Sequence, residues 1–203
     1  MYYFISDTHF GHTNILRYCK RPFIKEEDLD NKGEWKSEYL ANLRCKEMDT
    51  TMIKNWNSRV KDEDTVFFLG DFCLSKSSEA PDSRKDAFDY YRSQLNGNII
   101  FFKGNHDGNN KCKSIIESMV INHGGKRIYL THNPKFAKED FNWNFCGHTH
   151  GNQGVFKKLG RKSTIIDLSV DCWNFMPVDI NDINSAYSDW CRRGYKEEKK
   201  KES

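Results

Sequence analysis

Disulfide frameworks and zinc knuckles are missing from this sequence. Its seven cysteines (Cys19, Cys45, Cys73, Cys112, Cys146, Cys172 and Cys191) are odd in number, widely spaced and never arranged as CxxC. That usage fits a reducing compartment in which most thiols act as small buried apolar groups. Long apolar runs are missing too: none approaches the ~20 residues that cross a bilayer, so neither a membrane span nor a membrane partner is expected. Met1–Asp7 carries no basic stretch and no small-residue cleavage site, and a cytoplasmic location is the expectation. A strong charge of one sign is also lacking, because 32 Lys and Arg against 29 Asp and Glu leave only +3. This is too mild to imply nucleic acid, and it is no bar to an anionic substrate. Internal repeats and low-complexity domains are absent.

What is present argues for one folded domain. With 203 residues the chain is long enough to bury a core without disulfides. Aromatics at 14% argue against disorder, while 30% charged residues and a mean hydropathy of −0.83 demand a well-solvated surface. Residues 1–195 read as a single domain, and 196–203, almost wholly Lys and Glu, as a charged flexible tail. Short apolar runs at Tyr2–Ser6, Thr65–Leu69, Ile99–Lys103, Arg127–Thr131, Trp143–Cys146 and Thr164–Val170 have strand character. Most are continuous rather than alternating, which suits strands covered on both faces. Helical spacing lies between them: Met48, Met52, Trp56 and Val60 within Glu47–Val60, then Asp86–Leu95, Cys112–Val120 and 182–193. Arg21–Glu38 and Phe72–Lys85 read as loops, and Lys157–Lys158 with Arg161–Lys162 as a solvated hairpin. The alternation predicts an α/β sandwich.

Polar clusters follow the strands. Asp7-Thr8-His9 follows the first, Gly70-Asp71 the second, Gly104-Asn105-His106-Asp107 the third, Thr131-His132 the fourth and Gly147-His148-Thr149-His150 the fifth. Strand ends are where α/β sheets place ligand sites. Asp and Asn oxygens with His nitrogens, and no thiolate, suit divalent ions such as Mn²⁺, Fe or Zn²⁺. In an extended segment Asp7 and His9 point to one side, as do His148 and His150. Asp7, His9, Asp71, Asn105, His132, His148 and His150 exceed what one ion with an open position needs, so two ions are expected. Two ions ~3.5–4 Å apart are the usual device for in-line displacement at phosphorus, and a shared carboxylate, with Asp71 the natural choice, would hold them.

These five blocks, in this order from residue 7 to residue 150, resemble the calcineurin-like metallophosphoesterase superfamily. Phe10-Gly11-His12-Thr13-Asn14-Ile15 and Ser169-Val170-Asp171-Cys172-Trp173-Asn174 look like its small bacterial and phage branch. The resemblance implies a two-sheet β-sandwich flanked by helices, with a dinuclear site at the C-terminal ends of the strands. Asp7, His9, Asp71 and His150 would hold one ion, and Asp71, Asn105, His132 and His148 the other. A hydroxide bridging the ions would attack phosphorus, and His106 would be the general acid, a role that suits a side chain of ordinary pKa ~6.5. Asp107 is a candidate to orient His106. Mn²⁺ is the leading cofactor expectation, with Fe, Zn²⁺ or Ni²⁺ as alternatives.

One departure shapes the substrate reading. Protein phosphatases of this superfamily continue Gly-Asp into Val-Asp-Arg-Gly, but here Phe72-Cys73-Leu74-Ser75 follows. The arginine that would clamp a phosphomonoester dianion is absent. Arg17, Arg21, Lys103 and His12 are candidate substrate contacts; for His12 a backbone-bonded loop histidine is an equal alternative. Cys73 and Cys146 read as inert thiols, His123 as a turn residue, and Phe23, Trp35, Phe136, Phe141 and Trp143 mostly as packing rather than base-stacking groups. The expected activity is hydrolysis of phosphodiesters, nucleotides or related small diesters. A nuclease acting on DNA or RNA, a phosphomonoesterase and a non-enzymatic metal-binding scaffold are the alternatives.

Overall fold

The computed structural model describes residues 1–74, 87–112 and 114–201, with side chains to residue 193. Two sheets face each other and helices flank them. The first sheet has the order β3-β2-β1-β9. Its strands β1 (Tyr2–Ile5), β2 (Thr65–Phe68) and β3 (Asn98–Phe101) are parallel, and β9 (Val178–Asp179) runs antiparallel to β1. The second has the order β4-β5-β6-β8-β7. Here β5 (Lys126–Thr131), β6 (Trp143–Cys146) and β8 (Ser163–Asp167) are parallel, while β4 (Ser118–His123) and β7 (Phe156–Leu159) close the edges antiparallel.

Period-two alternation along β1 and β2 feeds two cores. Tyr3, Ile5, Val66 and Phe68 face Met48, Met52 and Trp56 of α2 (Glu38–Arg59) and Tyr91 of α3 (Ala87–Arg92). Phe4, Phe67 and Leu69 point the other way, to Ile128, Leu130, Phe145 and Ile166 of the second sheet. Both faces are therefore covered, which is why these strands read as unbroken apolar runs. A fully buried Phe or Met contributes about 1.5–3 kcal/mol over its exposed state, so the two cores hold the strand ends at fixed separation. The last helix, α4 (Ile180–Lys201), lays Ile183, Ala186, Tyr187 and Trp190 against the second core. A single-turn α1 (Ile15–Tyr18) follows β1.

The differences from expectation have local causes. Among the described residues of the expected helix Cys112–Val120 there is no helix: Ser118–His123 is strand β4, paired with β5 from Ser118↔Thr131 to His123↔Lys126. Ile115, whose spacing with Met119 fits a helical stripe, is 91% exposed. The stronger signal was Gly124-Gly125, whose positive φ values of 57° and 72° make the two-residue turn of a tight hairpin. Helix α2 starts at Glu38 rather than Glu47, capped by Ser37 Oγ, which accepts from the Leu40 N–H at 3.2 Å. Its stripe was masked by buried charges that are paired in space: Arg44 donates to Asp28 (2.6 Å), and Asp49 accepts from Tyr91 (2.8 Å). The helix expected at 182–193 spans Ile180–Lys201. Residues 75–85 of the expected Phe72–Lys85 loop, together with Asp86 of the expected second helix, lie outside the described residues. The expected hairpin is formed by β7 and β8, with Lys157 and Lys158 exposed; Lys158 also donates to Tyr187 Oη of α4 at 2.8 Å.

Candidate metal centre

The ends of β1, β2 and β3 from one sheet meet those of β5 and β6 from the other. Backbone bonds fix the meeting: Asp7 N–H to Gly70 O (3.0 Å), His9 N–H to Asp71 O (3.1 Å) and Gly147 N–H to His132 O (2.9 Å). The extended backbone expected at Asp7–His9 and His148–His150 is not what the chain adopts. Asp7, His9, Asp71, His148 and His150 all have positive φ, from 48° to 74°. Convergence comes from left-handed turns, a strained conformation that clusters at functional sites. Close approach also explains two glycines. A Cβ on Gly104 would collide with the Asp71 carboxylate, and one on Gly147 with Ser6 Oγ and the Asp7 carboxylate.

Six side chains form two triads. In the first, Asp7 Oδ1 lies 3.8 Å from His9 Nε2 and 3.7 Å from His150 Nε2. The second holds Asp71, His132 and His148. Asn105 Oδ1 sits between its imidazoles, 2.8 Å from His132 Nε2 and 2.8 Å from His148 Nδ1. Asp71 Oδ2 faces the first triad as well as its own, 3.7 Å from His9 Nε2 and 3.4 Å from His132 Nε2. Atoms ~2.0–2.2 Å from one ion sit at such mutual separations.

The residues fit divalent cations on a second ground. Asp7 Oδ1 and His9 Nε2 are buried without a hydrogen-bond partner, an arrangement that costs about 1–3 kcal/mol per group unless something else binds them. The other Asp7 oxygen is fully used, accepting from the Ser6 and Ser169 hydroxyls and from the His148 N–H at 2.8 Å. One oxygen is thus anchored and the other aimed inward. A third group, Cys19, His150 and Asp171, adjoins the first triad. Asp171 Oδ2 lies 2.7 Å from His150 Nδ1, which turns Nε2 toward Asp7.

Burial pushes the Asp7 carboxyl above, and His9 well below, their ordinary values. Burial opposes charge on Asp71 as well, but His132, His9 and the His106 N–H outweigh it and hold Asp71 down at about 2. His132 is buried, yet Asp71 and Asp7 raise it to about 9. His150, likewise against its burial, is raised to about 10 by Asp171, Cys19 and Asp7. The pocket therefore carries carboxylate charge that imidazolium balances when no cation does.

The remaining candidates are placed differently. His106 is exposed at the rim, its ring 5.8 Å from that of His9, and its N–H donates to Asp71 Oδ1 at 2.9 Å. His12 is half-buried, its ring also 5.8 Å from His9, with Nδ1 unpartnered. Arg17 pairs with Glu34 at the surface. Arg21 is not available to substrate: it is 2% exposed, pairs with Asp171 (2.9 and 3.1 Å) and donates to the carbonyls of Thr8 (2.9 Å) and Asp7 (2.8 Å). It braces the first turn and the His150 partner. Asp107 does not orient His106; its buried carboxylate accepts the N–H groups of Gly104 (2.7 Å), Asp71 (3.0 Å) and Phe72 (3.0 Å). Sequence reasoning missed these supports, although Asp171 stood in the quoted Ser169–Asn174 run. Phe136, expected mostly as packing, is 56% exposed beside Asn105 and His132.

Comparison with known proteins places the chain. The uncharacterized protein MJ1445 of Methanocaldococcus jannaschii is 36% identical over 182 residues, covering 88% of this chain and 86% of the archaeal one. The chain belongs to the MJ1445 family. No family model matches it. Its structure is similar to that of the protein of unknown function AQ665 from Aquifex aeolicus, with a TM-score of 0.59, 22% identity, and coverage of 92% of this chain and 98% of that one. This likeness shows the fold. A structure described as that of a novel archaeal phosphodiesterase aligns over 82% of this chain and 81% of its own, at 19% identity and a TM-score of 0.41, a similarity that does not reach activity. Among the described residues of this MJ1445-family member, no helix is long and apolar enough to cross a membrane.

Proposed function

We propose that this chain is a metal-dependent phosphoesterase of the calcineurin-like superfamily that hydrolyses phosphodiesters. One observation carries the reading: the Asp71 carboxylate faces both donor groups, within 3.7 Å of His9 of the first triad and 3.4 Å of His132 of its own. The ordered sequence blocks support the same reading. Asp7, His9, Asp71 and His150 would hold one divalent ion, and Asp71, Asn105, His132 and His148 a second. Bound there, such ions supply Lewis acidity toward phosphoryl oxygens and lower the pKa of a coordinated water.

The chain supplies the rest. Asp107 and Arg21 fix the turns that carry Asp71 and Asp7, so the donors need no rearrangement to bind. Asp171 sets the tautomer of His150, leaving Nε2 free toward the pocket. His106, tethered through its N–H to Asp71 Oδ1, stands at the solvent edge, where its imidazole can give a proton to the departing oxygen. No arginine follows Asp71 to clamp a dianion, and Arg21 is committed elsewhere, which favours diesters over monoesters. The test is hydrolysis of bis-p-nitrophenyl phosphate against p-nitrophenyl phosphate by Mn²⁺-loaded protein. A higher kcat/KM for the diester is expected; no turnover of either with Mn²⁺, Fe²⁺, Zn²⁺ or Ni²⁺ would leave a metal-binding scaffold in its place.

A further inference from the structure

An open cleft of about 390 Å³ adjoins the second triad, and Asn105 and His132 form its inner wall. Its outer parts come from residues that are not themselves candidate ligands: Lys103, two residues before Asn105 and just beyond β3, and Lys135, Phe136 and Lys138, just beyond His132 and β5. Among the described lining residues three lysines face a single acid, Glu117. Among the described residues none of the three ammonium groups is in an ion pair. Lys135 lies 4.8 Å from the Phe136 ring centre and Lys138 4.7 Å from that of Tyr129. The Phe136 ring stands in solvent, but its backbone is fixed. Pro134–Phe136 is a 3₁₀ turn capped by Asn133, whose Oδ1 accepts from the Lys135 N–H at 3.0 Å.

We propose that this cleft binds a nucleoside phosphate, with the lysines taking the phosphate and Phe136 stacking on the base. Unpaired ammonium groups select an anion. An exposed ring held on a rigid turn offers a flat apolar face that a bare anion would not use. The volume falls in the range of about 300–1,000 Å³ typical of small-ligand sites. The cleft opens on Asn105 and His132, so a group held there continues into the metal centre. Its catalytic role rests on the phosphoesterase reading: the cleft would hold the part of a dinucleotide that lies beyond the scissile phosphate. The binding itself does not depend on that reading.

Titration calorimetry of the protein with AMP, adenosine and inorganic phosphate, without added metal, tests the binding. AMP is expected to bind more tightly than either fragment. The double variant Lys103→Ala/Lys135→Ala should weaken AMP by about tenfold or more, the loss of at least one charge-assisted contact. Phe136→Ala should weaken AMP by roughly fivefold or more and leave inorganic phosphate unchanged. Circular dichroism of each variant checks folding. AMP binding that equals adenosine or phosphate binding, or that survives both substitutions, would overturn the proposal. Kinetics with phosphorylated diadenylate and bis-p-nitrophenyl phosphate separate the two readings. A ratio of kcat/KM values that drops about tenfold in the lysine variant supports the cleft as a substrate site. Hydrolysis of both with an unchanged ratio overturns that role and leaves the phosphoesterase reading standing. Lysine-dependent AMP binding without hydrolysis of any diester keeps the cleft and removes the phosphoesterase reading.

Discussion

Replacing Asp107 with alanine should be among the most damaging single changes in this protein, although Asp107 touches no reacting group. Its carboxylate is buried and accepts three main-chain N–H groups, from Gly104, Asp71 and Phe72. Each buried donor left without an acceptor costs about 1–3 kcal/mol. Three such donors, partly rehydrated in the space vacated, put Asp107→Ala at about 3–5 kcal/mol, against a total stability of about 5–15 kcal/mol for a domain. Asp107→Asn keeps the shape and one acceptor oxygen, and should cost about 1–3 kcal/mol. Urea unfolding measures both, with the midpoint moving and the slope unchanged. A second readout isolates the effect on the centre. The anchored N–H groups belong to the segments that carry Asp71 and Asn105, so Asp107→Asn should weaken Mn²⁺ binding by roughly 10–100-fold, as losses of supporting partners at metal sites do. An alanine variant within about 1 kcal/mol of the parent, with unchanged Mn²⁺ affinity, would refute the clamp.

Two further outcomes follow from the site. His106→Ala should retain bound metal yet slow turnover by roughly 10²–10⁴, with partial recovery on a substrate whose leaving group needs no proton; loss of metal would make His106 a ligand instead. The second concerns pH. His132 and His150 are raised to about 9 and about 10 in the metal-free protein. Their charge therefore stabilises the metal-free fold fully below the ordinary histidine pKa of about 6.5, and that contribution is lost as pH rises through about 9–10. Asp71, held down at about 2, contributes above the ordinary carboxylate range and stops only as pH falls through about 2. The same two imidazoles must shed protons to bind a cation. The melting temperature of metal-free protein should fall from pH 7 to pH 10 while the increment produced by Mn²⁺ grows. A flat metal-free profile with a constant Mn²⁺ increment would contradict this.

Much of this architecture is legible in local chemistry. Strands covered on both faces announce themselves as continuous apolar runs, and β1, β2, β5 and β6 lie within a residue or two of where those runs stand. Residues 115–120 misled because Ile115, Ile116, Met119 and Val120 satisfy helical spacing, while the Gly124-Gly125 turn that decides the pairing stands outside the window. The start of α2 was missed because Arg44 looks solvent-facing until its distant partner, Asp28, is seen. At the centre, the donor types and their order along the chain are visible in sequence, but the manner of their convergence is not. Left-handed turns at Asp7, His9, Asp71, His148 and His150 replace the strand alternation that spacing implies. The supporting contacts of Asp171, Asp107 and Arg21 join residues up to 150 positions apart, and no local pattern encodes them.

Metal counting decides the central claim. Protein saturated with Mn²⁺, freed of excess ion by dialysis and analysed by plasma mass spectrometry should carry two ions per chain, and Asp71→Asn should carry fewer than one, because both proposed ion sites lose the carboxylate that would belong to each. One ion or none on the parent chain, or two on Asp71→Asn, would contradict a centre built around Asp71.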